Sequence, residues 1–202
     1  MVITHDDITQ RALAECQVQE ANRLLELQAA TDGLTGGANR RSFDHTLEQE
    51  WKRHERTQSP LSIAMLDVDC FKQYNDTHGH LAGDDSPKAV AQAILAEMSR
   101  PGDFVARYGG EEFVVILPNT DMAGAATVLK NALSGVRNLA ISHPSSKVSR
   151  GVVTMSIGCA TVIPSEHDSP SAFLHRADQA LYEAKAKGRD QLNLFVPPSR
   201  AA

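Results

Sequence analysis

The chain has few cysteines: Cys16, Cys70 and Cys159 are odd in number, widely spaced and form no CxxC pair. That pattern argues against a disulfide framework and against a structural zinc site. Long apolar runs are missing too, and none approaches the roughly 18 residues needed to span a bilayer. The opening MVITHDDITQ lacks the basic-then-apolar order of a signal peptide, so a cytoplasmic protein is expected. Positive charge is in deficit. A formal net charge of -5 argues against a protein that holds duplex DNA by bulk electrostatics. It leaves room for an anionic small ligand, because screening over about 8 Å lets local charges decide. What is present is ordinary soluble composition, 42% hydrophobic and 22% charged over 202 residues, enough for one domain with an appendage.

Residues 6–30 hold no Gly or Pro and set Leu13, Leu24, Leu25 and Leu27 at helical spacing. This predicts a helix over residues 1–30 that either packs on the domain or pairs two chains as a short coiled coil. Gln17 and Glu20 interrupt its heptads, and both options stay open. The Gly-rich TDGLTGGANRR then breaks the chain, and RSFDHTLEQEWKRHER reads as a helix closed by QSP. LSIAMLDVD (61–69) reads as a strand with Leu61, Ile63, Met65, Asp67 and Asp69 on one face and Ser62, Ala64, Leu66 and Val68 on the other. FKQYNDTHG predicts a short helix stopped at Gly79, and SPKAVAQAILAEMSR a longer one with Pro87 in its first turn.

DFVARY and EEFVVILP predict a hairpin joined by Gly109 and Gly110, since a two-residue turn of this kind needs positive φ. A helix (MAGAATVLKNALSGVR), a strand (GVVTMSIGCATV), a helix (SAFLHRADQALYEAKAKG) and a short strand (QLNLFV) follow. Hairpins mixed with crossover helices predict an α+β sheet with helices packed on it. The expected domain covers 31–196, with a disordered tail over 197–202.

Asp67 closes the first strand and Glu111 opens the strand after the Gly-Gly turn. Alone, each is a solvated strand end. If the strands are neighbours, two carboxylates meet at one sheet end and repel by roughly a few kcal/mol at an effective dielectric near 20. A divalent cation removes that cost, and oxygen ligands favour Mg²⁺ or Mn²⁺. Asp69 is expected to cap the short helix, whose N-terminus, with Lys72 in its first turn, suits phosphates. Asn75 lies three residues further on the same helical face. Asp84 is by default the N-cap of the next helix. Together an Asn and an Asp match the guanine edge, the amide donating to O6 and the carboxylate accepting from N1–H and the exocyclic amine. Lys185 and Arg189 read either as cations on a helix dipole or as a second clamp on phosphates.

Residues 109–113, GGEEF, resemble the signature of the GGDEF family of diguanylate cyclases. DGLTGGANRR resembles that family's opening motif, DVDCFKQYNDTHGHLAGD its central block, VTMSIGCA its late strand and ADQALYEAKAKGRD its final helix. The likeness runs from residue 31 to about 196 in matching order. It implies a palm-like α+β fold, as in nucleotidyl cyclases and polymerases: a central mixed, largely antiparallel sheet flanked by helices, with an N-terminal helical extension. It also implies Mg²⁺-dependent condensation of two GTP into the bacterial second messenger cyclic di-GMP, with release of two pyrophosphates. The active form would be a homodimer, with no nucleic-acid partner.

By position, the family's metal ligands fall on Asp67, the Val68 carbonyl and Glu111. Glu111 is also the catalytic carboxylate, and Glu112 supports the site although a regular strand would turn its side chain the other way. Asn75 and Asp84 match the guanine readers, Lys72, Lys185 and Arg189 the phosphate contacts, and Phe71, Gly109 and Gly110 further substrate contacts. RPGD places Arg100 and Asp103 at the family's RxxD inhibitory product site; the plain alternative is a capped turn. An arginine that often completes this site is replaced near Asn131, which predicts weakened inhibition. Gly37 and Pro87 replace leucines, and Cys70 a frequent aromatic or His, without removing a metal, base or phosphate residue. The competing reading is a GGDEF domain that binds GTP or cyclic di-GMP without turnover. ATP is disfavoured, because Asp84 would meet adenine's unprotonated N1.

Overall fold

The structure is a computed structural model and describes residues 30–148 and 151–196. The helix expected over 1–30 and the tail expected over 197–202 fall outside these residues, apart from Ala30. The elements are β1 (Ala38–Asn39), α1 (Arg40–Thr57), β2 (Leu61–Val68), α2 (Phe71–Glu97), β3 (Phe104–Gly109), β4 (Glu112–Pro118), α3 (Met122–Asn138), β5 (Met155–Val162), α4 (Pro170–Ala186) and β6 (Leu192–Leu194). The strands form one sheet in the order β1-β3-β4-β2-β5-β6. Edge pairs β1–β3 and β5–β6 are parallel, and the three central pairings are antiparallel. This is the mixed, largely antiparallel α+β architecture that the sequence implies.

Helix α1 starts where the Asn39 side chain accepts from Ser42 N–H, and ends where Gln58 turns left-handed at φ 50°. Its four-residue repeat Phe43, Leu47, Trp51 is buried. β2 is buried on both faces, and its alternation divides the core as expected. Leu61, Ile63 and Met65 pack with Phe43, Leu47, Trp51, Phe173 and Leu181 beneath α1 and α4. Ala64, Leu66 and Val68 pack with Val90, Ile94, Leu129 and Val136 beneath α2 and α3. Each fully buried side chain of this size contributes about 1.5–3 kcal/mol relative to exposure, so the central strand is held firmly from both sides.

Three local expectations are corrected. Gly79 does interrupt α2, with φ 79° and ψ 169°, but helix resumes at once and runs to Glu97. Asp84 therefore lies inside the helix instead of capping it, and Pro87 stands well beyond the first turn, where its ring removes the N–H that would reach the Gly83 carbonyl. One glycine suffices to break the helix, and the residues after it contain no further stop. The hairpin turn is also displaced: β3 keeps Gly109, so Gly110 and Glu111 make the turn and Gly110 alone has positive φ, 55°. The cause is an irregularity in the β3–β4 register between Arg107 and Gly109. Finally, the segment expected to cap α2 does so differently, as described below. None of the described helices is long and apolar enough to cross a membrane.

Candidate active site

The carboxyl end of β2 is the focus of the site, since β2 lies between β4 and β5. Its register sets Asp67 opposite Glu112 on β4 and opposite Ser156 on β5. The residue directly across from Asp67 is thus Glu112 and not Glu111, because β4 begins one residue later than the GGEEF spacing suggests. Directly opposed residues share a sheet face with Cβ atoms about 5 Å apart. Glu111 stays in the turn, where its carbonyl accepts from Val68 N–H at 3.3 Å. Burial, and then the charges of Glu111 and Glu112, push the Asp67 carboxyl up to about 6, against the opposing pull of Lys185. Lys185 Nζ lies 2.7 Å from Asp67 Oδ2. The last turn of α4 therefore delivers its cation to the acidic sheet end, beyond any role on the helix dipole.

Asp69 is not a helix cap. Cys70 takes the N-cap position in a left-handed conformation, φ 57°, with no side-chain capping bond. Asp69 is instead buried, accepting from Thr154 Oγ at 2.7 Å, Ser156 Oγ at 2.6 Å and the backbone N–H of Asp190 at 3.0 Å. A signal for this was present in the sequence: two hydroxyl residues at period two, Thr154 and Ser156, in the late strand. Arg137 grips Asp190 from α3, its Nε on Oδ1 and its Nη2 on the carbonyl, both at 2.7 Å.

Arg107 is a second residue the motif spacing does not expose. Its Nε donates to the Gly110 carbonyl at 2.8 Å and its Nη1 reaches both Asp32 oxygens at 3.2 Å. It ties the GGEEF turn to the TDGLT loop. Burial opposes it, but hydrogen bonds from Thr35 and the Arg107 charge hold the Asp32 carboxyl below its usual value.

Lys72, Asn75 and Asp84 all sit on α2, Lys72 and Asp84 exposed. Asn75 Oδ1 is buried without a hydrogen-bond partner, turned toward Gly83. Gly83 makes this arrangement possible, because a Cβ there would overlap Asn75 Oδ1. Phe71 stacks on Tyr74 with ring centroids 6.3 Å apart, Val68 is buried, and Gly109 and Gly110 are exposed. At RPGD, Arg100 N–H donates to Asp103 Oδ2 at 3.2 Å, Asp103 N–H to the Arg100 carbonyl at 3.0 Å, and the Arg100 guanidinium to Thr120 Oγ at 3.1 Å. A capped turn is present there.

Among the described residues, no group of three or more His, Cys, Asp or Glu is arranged to hold a metal ion. The donor chemistry nonetheless fits a hard cation: carboxylates and a strand-end carbonyl, in surplus negative charge that raises Asp67, with a lysine ammonium now on that carboxylate.

Comparison with known proteins agrees with this architecture. The family described as "Diguanylate cyclase, GGDEF domain" matches residues 29–191. Diguanylate cyclase DgcP of Pseudomonas aeruginosa is 40% identical over 167 residues, 83% of this chain and 24% of its own length. The chain spans from 24% to 36% of the lengths of the first curated relatives it matches. The structure of the coiled coil and GGDEF domain of DgcB from Caulobacter crescentus, in complex with c-di-GMP, superposes with TM-score 0.82 at 31% identity, covering 94% of this chain and 97% of that one. The active GGEEF domain of a Vibrio cholerae diguanylate cyclase gives TM-score 0.66 at 29% identity, covering 79% and 98%.

Proposed function

The chain belongs to the family of GGDEF diguanylate cyclase domains, and from that premise we propose that it condenses two GTP into cyclic di-GMP with release of two pyrophosphates. The observation that carries the reading is the sheet end, where Asp67 faces Glu112, Glu111 adjoins and Lys185 closes on Asp67. Asp67, the Val68 carbonyl and Glu111 would hold Mg²⁺ or Mn²⁺. Bound there, the ion lowers the pKa of an attacking 3'-hydroxyl and screens the triphosphate.

The chain's own residues supply the rest. Glu111 accepts the hydroxyl proton, and Glu112 supports the same cluster from across Asp67. Lys72, Lys185 and Arg189 offset the charge that grows on the leaving pyrophosphate. Asp84 takes N1–H and the exocyclic amine of guanine while Asn75 donates to O6. Phe71, Gly109 and Gly110 line the substrate. Holding two nucleotides in register supplies about 7 kcal/mol or more of the barrier reduction. One GTP per domain requires a two-fold homodimer. The proposed catalytic domain covers residues 31–196.

Purified protein with Mg²⁺ and either GTP or ATP, resolved by chromatography, tests the reading. Cyclic di-GMP from GTP alone supports it. GTP bound but recovered intact would make the domain a binding module.

Gly83→Ala tests the base pocket. The new methyl meets the end of a side chain, so the fold is expected to hold, helped by the helix preference for alanine of up to about 1 kcal/mol. Displacing the Asn75 amide should weaken GTP binding about tenfold, by calorimetry, with a melting temperature no lower than wild type. Unaltered affinity would remove Asn75 from the pocket.

The RxxD turn is proposed to bind product, with Arg100 on guanine O6 and N7 and Asp103 on the opposite edge. Arg100→Ala should weaken cyclic di-GMP binding about tenfold or more; equal affinity would leave RPGD as a turn alone.

A further inference from the structure

The geometry points to Asp69 as a positioning residue that fixes the phosphate-gripping arm, residues 185–190, against the metal-binding strand; this rests on the nucleotide reading above. Asp67 and Asp69 lie on one face at the end of β2 and hold two different parts of the same arm. Asp67 holds the Lys185 ammonium, a contact that must be surrendered when Lys185 engages phosphate. Asp69 holds the backbone of Asp190, a contact that need not be.

A carboxylate 1% exposed is costly to bury unless fully paired, and packing alone would be served by an apolar residue. Asp69 is paired, with donors from two separate pieces: the hydroxyls of Thr154 and Ser156 near the start of β5, and the Asp190 N–H on the turn after α4. That turn passes through Arg189 at φ 65° and Asp190 at φ 50°, a conformation that non-glycine residues keep only where their surroundings enforce it. Arg137 enforces it from α3 and Asp69 from just past the end of β2. The Asp69 N–H also continues the sheet ladder to the Thr154 carbonyl at 2.9 Å, immediately before α2 begins with Lys72 in its first turn. One buried carboxylate thus sets the spacing between both groups of phosphate contacts, Lys72 on one side and Lys185 with Arg189 on the other.

The test is a double-mutant cycle on the full chain, reading the affinity for a nonhydrolysable GTP analogue with Mg²⁺ by calorimetry. Asp69→Asn and Arg189→Ala should each weaken binding about tenfold, and the double variant should fall well short of the hundredfold product, since Asp69→Asn already loosens the Arg189 grip along with those of Lys72 and Lys185. A merely structural Asp69 would make the losses multiply to about a hundredfold. Multiplying losses, or Asp69→Asn binding like wild type, would overturn the inference while leaving the cyclase reading intact. Wild type that binds no GTP analogue would overturn the cyclase reading and this inference with it. If Asp69→Asn does not fold, Ser156→Ala, which removes one donor, carries the same cycle with the same outcomes.

Discussion

Asp67→Asn is expected to lose about a thousandfold or more of cyclic di-GMP synthesis while melting no lower than wild type at neutral pH. The proposed metal site needs the carboxylate to be charged, and the metal-free fold resists it. Burial and the two glutamates raise its pKa to about 6, even with Lys185 at 2.7 Å. An amide of the same shape carries no charge to desolvate or repel. Lys185 loses its partner, but its side chain is 32% exposed and regains water.

The pH dependence follows in sign. The native pKa lies above the unfolded value of about 4, so between the two the native state binds more protons and stability falls as pH rises through that window. Above it the loss is complete, and Mg²⁺, binding only the folded state, should restore stability to wild type. The variant should show neither the fall nor the rescue. Melting curves of both proteins below pH 4 and near pH 7, with and without Mg²⁺, isolate Asp67 in their difference. A variant that melts well below wild type at neutral pH would contradict the assigned strain.

Gly158→Ala is expected to lose about 3 kcal/mol of stability, at the upper end of overpacking costs, and much of the activity of the molecules that remain folded. The added Cβ would overlap the Leu181 N and the Ala177 carbonyl oxygen and come within 2.6 Å of Leu181 Cα. These are backbone atoms of α4, so no rotamer change relieves the contact and the helix itself must lift. That helix packs on β5 through Phe173, Ala177, Ala180, Leu181 and Ala184, and its last turn carries Lys185. A displacement of about 1 Å at such a site costs on the order of a hundredfold in rate. Urea unfolding and turnover per folded molecule measure the two losses separately. A wild-type midpoint with a wild-type rate would mean that α4 can move without consequence.

The elements themselves were largely legible. Alternation in LSIAMLDVD separates the apolar β2 side chains into the two clusters they join, and RSFDHTLEQEWKRHER closed by QSP marks α1. Local patterning reports which face is apolar, and that is what a two-faced central strand is built from. It does not report partners. Asp69 looked like a cap because capping is the local use of an Asp, whereas its donors come from 85, 87 and 121 residues away. The Asp67–Glu112 pairing depends on where β4 begins, which an irregular register shifted by one residue. Pro87 misled for a similar reason: a proline suggests a helix start, but the break belongs to Gly79. That carboxylates gather at one sheet end is legible in the residues only on the condition that β2 and β4 are neighbours, and the proposed reaction rests on the likeness of several motifs together.

The most direct measurement counts both products, pyrophosphate and cyclic di-GMP, made from GTP as Mg²⁺ is titrated over a range of protein concentrations. Two pyrophosphates per cyclic di-GMP, none without metal, and a rate per mole that climbs with protein concentration are expected. Saturating GTP recovered intact at concentrations that enforce dimers, or pyrophosphate released without cyclic di-GMP, would contradict the assignment of Asp67 and Glu111 to a cyclase site.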